Sequence, residues 1–163
     1  MEQLQYLLKK FSTTTEDQEK AIFNSLFIIS NRLQTIFDQH IPDVSLKQFM
    51  LMTIVNRSKE QMTFTQLGTL LGCSRQNIKK LAHVLEQKGY VKILQKEQDV
   101  RASYLCPTEK MKEYFDVEFK EHQNELRYLF EVYTPQEIET LFQLISRLYE
   151  GVDNLKNKTS QNA

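Results

Sequence analysis

The stretch Thr63–Val91, TFTQLGTLLGCSRQNIKKLAHVLEQKGYV, constrains the fold more than any other part of this chain. Phe64, Leu67, Leu70 and Leu71 repeat at the spacing of an amphipathic helix. Gly72 and Cys73 interrupt that period, and Ser74 offers a side-chain oxygen to the free amides that begin a second helix. Gly89 suits the left-handed position that closes it. A turn this short obliges the two helices to cross and pack, which is the helix-turn-helix arrangement. In that motif the second helix is the one that lies in a DNA major groove.

Stepping 100° per residue divides the second helix into two faces. Ile78, Leu81, Ala82 and Leu85 fall on one side; Gln76, Lys79, Lys80, His83 and Gln87 fall on the other, with Arg75 flanking them near the start. An ordinary solvated face would also be polar, but this one holds no acid before Glu86. Its Arg, Gln and Lys side chains are those that bond purine edges and phosphates. The candidate DNA-binding set on this helix is Ser74, Arg75, Gln76, Asn77, Lys79 and Lys80.

The 163 residues carry a formal net charge of zero, so overall charge lends no support to a polyanionic partner. The distribution does. Between Thr63 and Pro107 the bases Arg75, Lys79, Lys80, Lys88, Lys92, Lys96 and Arg101 outnumber the acids Glu86, Glu97 and Asp99. From Thr108 to Leu155 the balance reverses, with eleven acids against Lys110, Lys112, Lys120, Arg127 and Arg147. Zero is thus a cancellation between a basic centre and an acidic carboxy-terminal third. Two cysteines, Cys73 and Cys106, exclude a disulfide scaffold and show no metal-ligand spacing. No metal or cofactor is expected. Without a long apolar run near Met1, neither a secretory signal nor a membrane span is expected, and the cytoplasm is the expected compartment.

Elsewhere the periodicity is mostly helical. Leu4, Leu7, Leu8 and Phe11 predict a short amphipathic helix, and a longer one follows from Glu16 to about His40. Its Ile22, Leu26, Ile29, Leu33, Ile36 and Phe37 form a stripe that Phe23 and Phe27 widen, implying contact with a second subunit. Ser45 caps a helix over Leu46–Asn56 that completes a trihelical core. After Gly89, Tyr90–Leu94 and Ala102–Cys106 predict a β-hairpin with a charged tip, a wing attached directly after the recognition helix. Thr108 caps a helix expected from Glu109 to about Tyr133. Thr134-Pro135-Gln136-Glu137 then starts a closing helix with a near-heptad seam of Ile138, Leu141, Ile145, Leu148, Val152 and Leu155. The expected fold is mainly α, a winged helix-turn-helix with a two-stranded wing and long N- and C-terminal dimerisation helices. Its parts are dimerisation helices in 1–44, the DNA-binding domain in 45–107, further dimerisation helices in 108–155 and a disordered tail in 156–163.

With Thr65–Gly89, the following Tyr90-Val91 and the wing in place, the chain resembles the MarR family of bacterial transcriptional regulators from about Glu16 to Leu155. Asp99-Val100-Arg101 followed by Thr108-Glu109-Lys110 is similar to the family's D-x-R wing and the strand end after it. Val100 departs from a common second arginine, Met111 from a frequent glycine and Pro107 from the usual apolar residue. The resemblance implies a homodimer on a palindromic site, acting as a repressor. It also implies Arg101 in the minor groove with Asp99 orienting it, which adds both to the DNA-binding set; Lys96 joins that set as a phosphate-neutralising base, as Lys79, Lys80 and Lys92 do.

A small aromatic effector is a further implication, with Phe23, Phe27 and Phe49 as candidate lining residues; core packing is the competing reading for each. Redox sensing through Cys73, close to Arg75 at a helix N-terminus, is an alternative mode of regulation. A winged-helix protein-interaction module without DNA is the alternative of a different class. An enzyme is not expected, since no paired carboxylates, phosphate-binding loop or Ser-His-Asp order stands out.

Overall fold

Thr14, Ser45, Thr63, Ser74 and Thr134 set where helices begin. Each places its hydroxyl oxygen 3.1 to 3.4 Å from the backbone N–H three residues on, at Asp17, Gln48, Gln66, Asn77 and Glu137. Such a cap contributes about 1 kcal/mol by satisfying a donor that the helix itself cannot. The computed structural model describes residues 2–10, 13–41, 43–96 and 99–161; the side chains at 2, 8, 96, 99–102, 118, 121, 122 and 125 lie outside that description. In chain order the elements are α1 (Glu2–Lys10), α2 (Thr15–His40), α3 (Leu46–Arg57), α4 (Phe64–Leu71), α5 (Arg75–Gln87), β1 (Val91–Lys96), β2 (Asp99–Pro107), α6 (Glu109–Asp116), α7 (Glu118–Phe130) and α8 (Pro135–Gln161). They form two units, residues 1–112 and 113–163.

The first unit is built on α3, α4 and α5, which pack against one another as the expected trihelical core. Leu51 and Met52 from α3, Phe64 and Leu67 from α4, and Ile78, Ala82 and Leu85 from α5 are buried, together with Val91, Leu105 and Met111. Leu70 departs from the apolar spacing of α4 and is 58% exposed. β1 and β2 pair antiparallel from Val91↔Pro107 to Gln95↔Ser103, and the register shifts between Gln95 and Lys96. Pro107 is tolerated because it ends the strand. An isolated bridge between Thr63 and Tyr104 ties the hairpin to the start of α4.

The second unit holds α7 and α8. The single helix expected from Glu109 to Tyr133 is divided at Val117, which stays right-handed but at φ −113° and ψ −71°, well off regular helix geometry. Val117 is β-branched and follows Glu113 and Asp116, so neither propensity nor charge favours continuation there. The closing helix runs on to Gln161, past Lys156 where the polar composition predicts an irregular tail. Lys and Gln are good helix formers, and Thr159 Oγ1 donates back to Leu155 O at 2.9 Å. No helix among the described residues is long and apolar enough to cross a membrane.

Candidate nucleic-acid interface

The turn between α4 and α5 works because two glycines do different things. Gly72 takes the left-handed conformation, φ 65° and ψ 31°, that ends α4. Gly68, inside α4, lets the turn close: an added Cβ would stand 2.6 Å from Cys73 O, and the Cys73 N–H donates to Gly68 O at 2.9 Å. Ser74 then caps α5 through the Asn77 amide. Its hydroxyl is therefore engaged in building the helix before any partner arrives.

Burial divides α5 along the line its sequence draws. Ile78, Ala82 and Leu85 have no exposed surface, whereas Arg75, Gln76, Lys79, Lys80 and His83 are all exposed. At 100° per residue those five occupy an arc of roughly 140°, a cationic and amide-bearing strip that a groove can receive. Asn77, also exposed, falls about 60° beyond that arc by the same stepping, away from the other candidates. Lys92 on β1 is exposed as well. The side chains of Lys96, Asp99 and Arg101 lie outside the described residues, so the wing-tip part of the expected set is placed only as backbone on β1 and β2.

The far end of α5 closes as a Schellman turn. Gly89, at φ 80°, donates to Glu86 O at 2.9 Å, and Tyr90 N donates to Leu85 O at 2.9 Å, with both Leu85 and Tyr90 buried. Lys88 joins the basic centre in sequence but not in space. Its Nζ donates to Asp43 O and, at 3.4 Å, to Gln48 Oε1, turning the charge onto the loop and first turn of α3. Gln48, buried and bonded through the same oxygen to Ser45 N at 3.2 Å, is the side chain that meets this cation. Sequence inspection assigns Lys88 to the phosphate-facing excess, and nothing near it in the chain signals the contact with Asp43 and Gln48.

The three phenylalanines proposed as one effector pocket stand in two places. Phe23 and Phe27 meet edge to face on α2 at 5.0 Å between centroids and are more than half exposed. Phe49 meets Phe37 at 5.2 Å, about 15 Å further along α2 at 1.5 Å per residue. Cys73 and Cys106 are both free and half-buried, and Cys106 Sγ accepts from Gln61 Nε2 at 3.2 Å. Among the described residues, no group of three His, Cys, Asp or Glu could hold a metal ion.

Residues 44–103 match the MarR family. No curated protein matches the chain in sequence. Among solved structures it is similar to a MarR protein from Peptoclostridium difficile, with TM-score 0.74 and 21% identity over 88% of this chain and 92% of that one. It is also similar to a MarR family transcriptional regulator from Streptomyces coelicolor in complex with DNA, with TM-score 0.72 and 19% identity over 85% and 92%. The S. aureus MepR–DNA complex gives TM-score 0.69 and 16% identity over 80% and 97%. At these identities the likeness is one of fold: a winged helix with a two-stranded wing and long flanking helices.

Proposed function

We propose that this chain, whose residues 44–103 match the MarR family, is a sequence-specific DNA-binding transcriptional regulator, a repressor that grips a palindromic operator as a homodimer and is released by a small aromatic ligand. The observation that supports DNA binding most directly is the division of α5, with Ile78, Ala82 and Leu85 fully buried behind an exposed strip of Arg75, Gln76, Lys79 and Lys80. Several of the similar structures are complexes with DNA, which suits the same use of the same helix. In this reading Lys79, Lys80 and Lys92 neutralise phosphates and set the register, while Arg75 and Gln76 read base edges.

Support for a homodimer comes from two long helices whose own residues stay unburied. α2 and α8 each span about 40 Å at 1.5 Å per residue, and neither buries a single residue. Ile22, Phe23, Phe27 and Ile29 on α2, and Phe142, Ile145, Leu148 and Val152 on α8, remain exposed. Apolar faces of that length mark association surfaces. Two-fold pairing would set the recognition helices about 34–36 Å apart, one duplex turn. Phe23 and Phe27 suit this seam better than an effector pocket, which leaves Phe49 as the candidate lining residue.

The deciding experiment is binding-site selection from random duplexes, repeated with a panel of small aromatic acids. Enrichment of a palindrome supports the proposal, and loss of that complex with one of the acids supports release. A protein that retains no duplex even in dilute buffer is an interaction module and not an operator-binding regulator.

A further inference from the structure

We infer that Lys110 is a positioning residue for DNA recognition: from the first turn of α6, together with Thr108, it clamps the carboxyl end of the recognition helix and so sets the angle at which Arg75 and Gln76 are presented. This rests on the DNA-binding reading above and assigns a role to a side chain outside the proposed interface.

A helix ends with carbonyls that have no partner within it. The Schellman turn of α5 satisfies those of Leu85 and Glu86 from its own chain. The carbonyls of Lys88, Gly89 and Tyr90 are met from across the wing. Lys110 Nζ donates to Lys88 O at 2.8 Å, Thr108 Oγ1 donates to Gly89 O at 2.7 Å, and Thr108 N donates to Tyr90 O at 3.1 Å. The hydroxyl also stands 2.8 Å from Tyr90 O, so its one proton is shared between two carbonyls. Lys110 Nζ further lies 4.6 Å from the centroid of the buried Tyr90 ring, and its stem passes Gly89, where Cδ would be 3.7 Å from an added Cβ. Three successive carbonyls and one ring are thus held by residues 108–110.

Two physical consequences follow. The ammonium sits at the negative end of the α5 dipole, where a cation is favoured, and its bonding is directed at protein and not at phosphate. The whole wing lies between Tyr90 and Thr108, so this junction fixes the root of the wing and the end of the recognition helix together. Arg75 and Gln76 stand at the opposite end of α5, about 20 Å away at 1.5 Å per residue. A tilt of about 3° at the clamp would move them by about 1 Å, which takes a good hydrogen bond to a base edge out of range. A phosphate contact from a flexible lysine tolerates the same displacement.

The test compares Lys110→Met and Lys110→Arg with wild type on the selected operator and on a random duplex, over a range of salt. Lys110→Met keeps the stem and removes the cation. It is expected to weaken operator binding about tenfold, with random-duplex affinity, salt slope and thermal midpoint all close to wild type. Lys110→Arg, which keeps a cationic donor, is expected to restore the preference. A fall on both duplexes with a salt slope smaller by about 1 would make Lys110 a phosphate ligand and overturn the inference. A lowered thermal midpoint with unchanged operator preference would reduce it to a stabilising contact and overturn it as well. If wild type itself shows no preference between the duplexes, the DNA-recognition reading fails first; if wild type discriminates and Lys110→Met equals it, only the positioning role fails.

Discussion

The backbone N–H of Ile93 donates to Glu86 Oε1 at 2.8 Å, joining the last turn of the recognition helix to the first strand of the wing. Glu86 is an acid at the negative end of a helix, a position that disfavours it unless a donor compensates. The Ile93 amide is that donor, and His83 Nδ1 stands 3.8 Å from the other carboxylate oxygen. One side chain on α5 thereby fixes where the wing leaves the helix. It also lies on the same helix as the proposed phosphate-facing strip.

Replacing Glu86 separates these two effects. Glu86→Ala loses a charge-assisted bond that is partly open to solvent, so the cost is about 1 kcal/mol, read as a lower urea midpoint. Glu86→Gln keeps an acceptor for Ile93 and removes the negative charge. It is expected to unfold within about 0.5 kcal/mol of wild type and to bind random DNA more tightly at low salt. Equal losses of stability in the two variants would show that the charge, and not the acceptor, holds the wing.

Within the exposed strip of α5, Arg75→Ala or Gln76→Ala is expected to flatten sequence preference, costing about 1–3 kcal/mol on the operator and little on random DNA. Lys79→Ala is expected to lower affinity on every sequence and to reduce the salt slope by about 1. Fluorescence anisotropy on both duplexes checks the division. Identical behaviour of all three variants would remove the distinction between reading and anchoring.

What could be read from sequence here was whatever depends on neighbours along the chain. The caps at Ser45, Ser74 and Thr134, the break at Gly72, the left-handed Gly89, and the two faces of α5 are all decided within about four residues of themselves. Lys88 and Lys110 were not legible, because each bonds a carbonyl that another element supplies: Asp43 is 45 residues away and Lys88 is 22. Gly68 was hidden for a related reason. Its requirement is the close approach of Cys73 O, and an unremarkable glycine in a helical pattern gives no sign of that. The break at Val117 was lost in an apolar period that continues on either side of it.

The two turn glycines give a third prediction. Gly68→Ala places a methyl 2.6 Å from Cys73 O, a backbone atom that cannot swing aside, so overpacking is expected to cost about 1–3 kcal/mol or more. Gly72→Ala has open space around the new methyl and is penalised only by its positive φ, about 1–2 kcal/mol. Calorimetry should rank Gly68→Ala at or below Gly72→Ala. The reverse order would mean that the α4–α5 crossing opens more readily than its geometry implies.

Glu137 carries a pH dependence. The Thr134 backbone N–H, at 2.8 Å, and then the Thr134 hydroxyl, at 2.9 Å, donate to its Oε2 and hold its pKa below the ordinary glutamate value. A carboxyl with a depressed pKa binds its proton less readily when folded. Its contribution to the start of α8 is therefore complete above the ordinary glutamate range and is lost as pH falls through the folded value. In a carboxyl-carbon NMR titration, Glu137 is expected to titrate below the ordinary glutamate value. Thr134→Ala removes only the second cause and should bring the midpoint part of the way back. A midpoint at the ordinary value would show that the capping box is not populated in solution.

The exposed faces of α2 and α8 lead to the last prediction, on assembly. A two-fold interface presents every residue twice, so one acidic substitution introduces two charges into a surface that would otherwise be dry. Phe27→Glu on α2 and Phe142→Glu on α8, at positions 59% and 71% exposed in the single chain, are each expected to weaken the proposed dimer by at least about a hundredfold. Leu70→Glu provides the control. Leu70 is as exposed as Phe27, but it lies on α4, away from both long helices in sequence, and its replacement is expected to leave association unchanged. Sedimentation velocity over a concentration series distinguishes these outcomes. Monomers of Phe27→Glu and Phe142→Glu should also lose operator affinity while keeping wild-type circular dichroism, because a single winged helix reaches only one half-site. A wild-type chain that sediments as a monomer at every concentration, or variants that remain dimeric, would leave these apolar faces to a different partner and would remove the two-fold argument for a palindromic site.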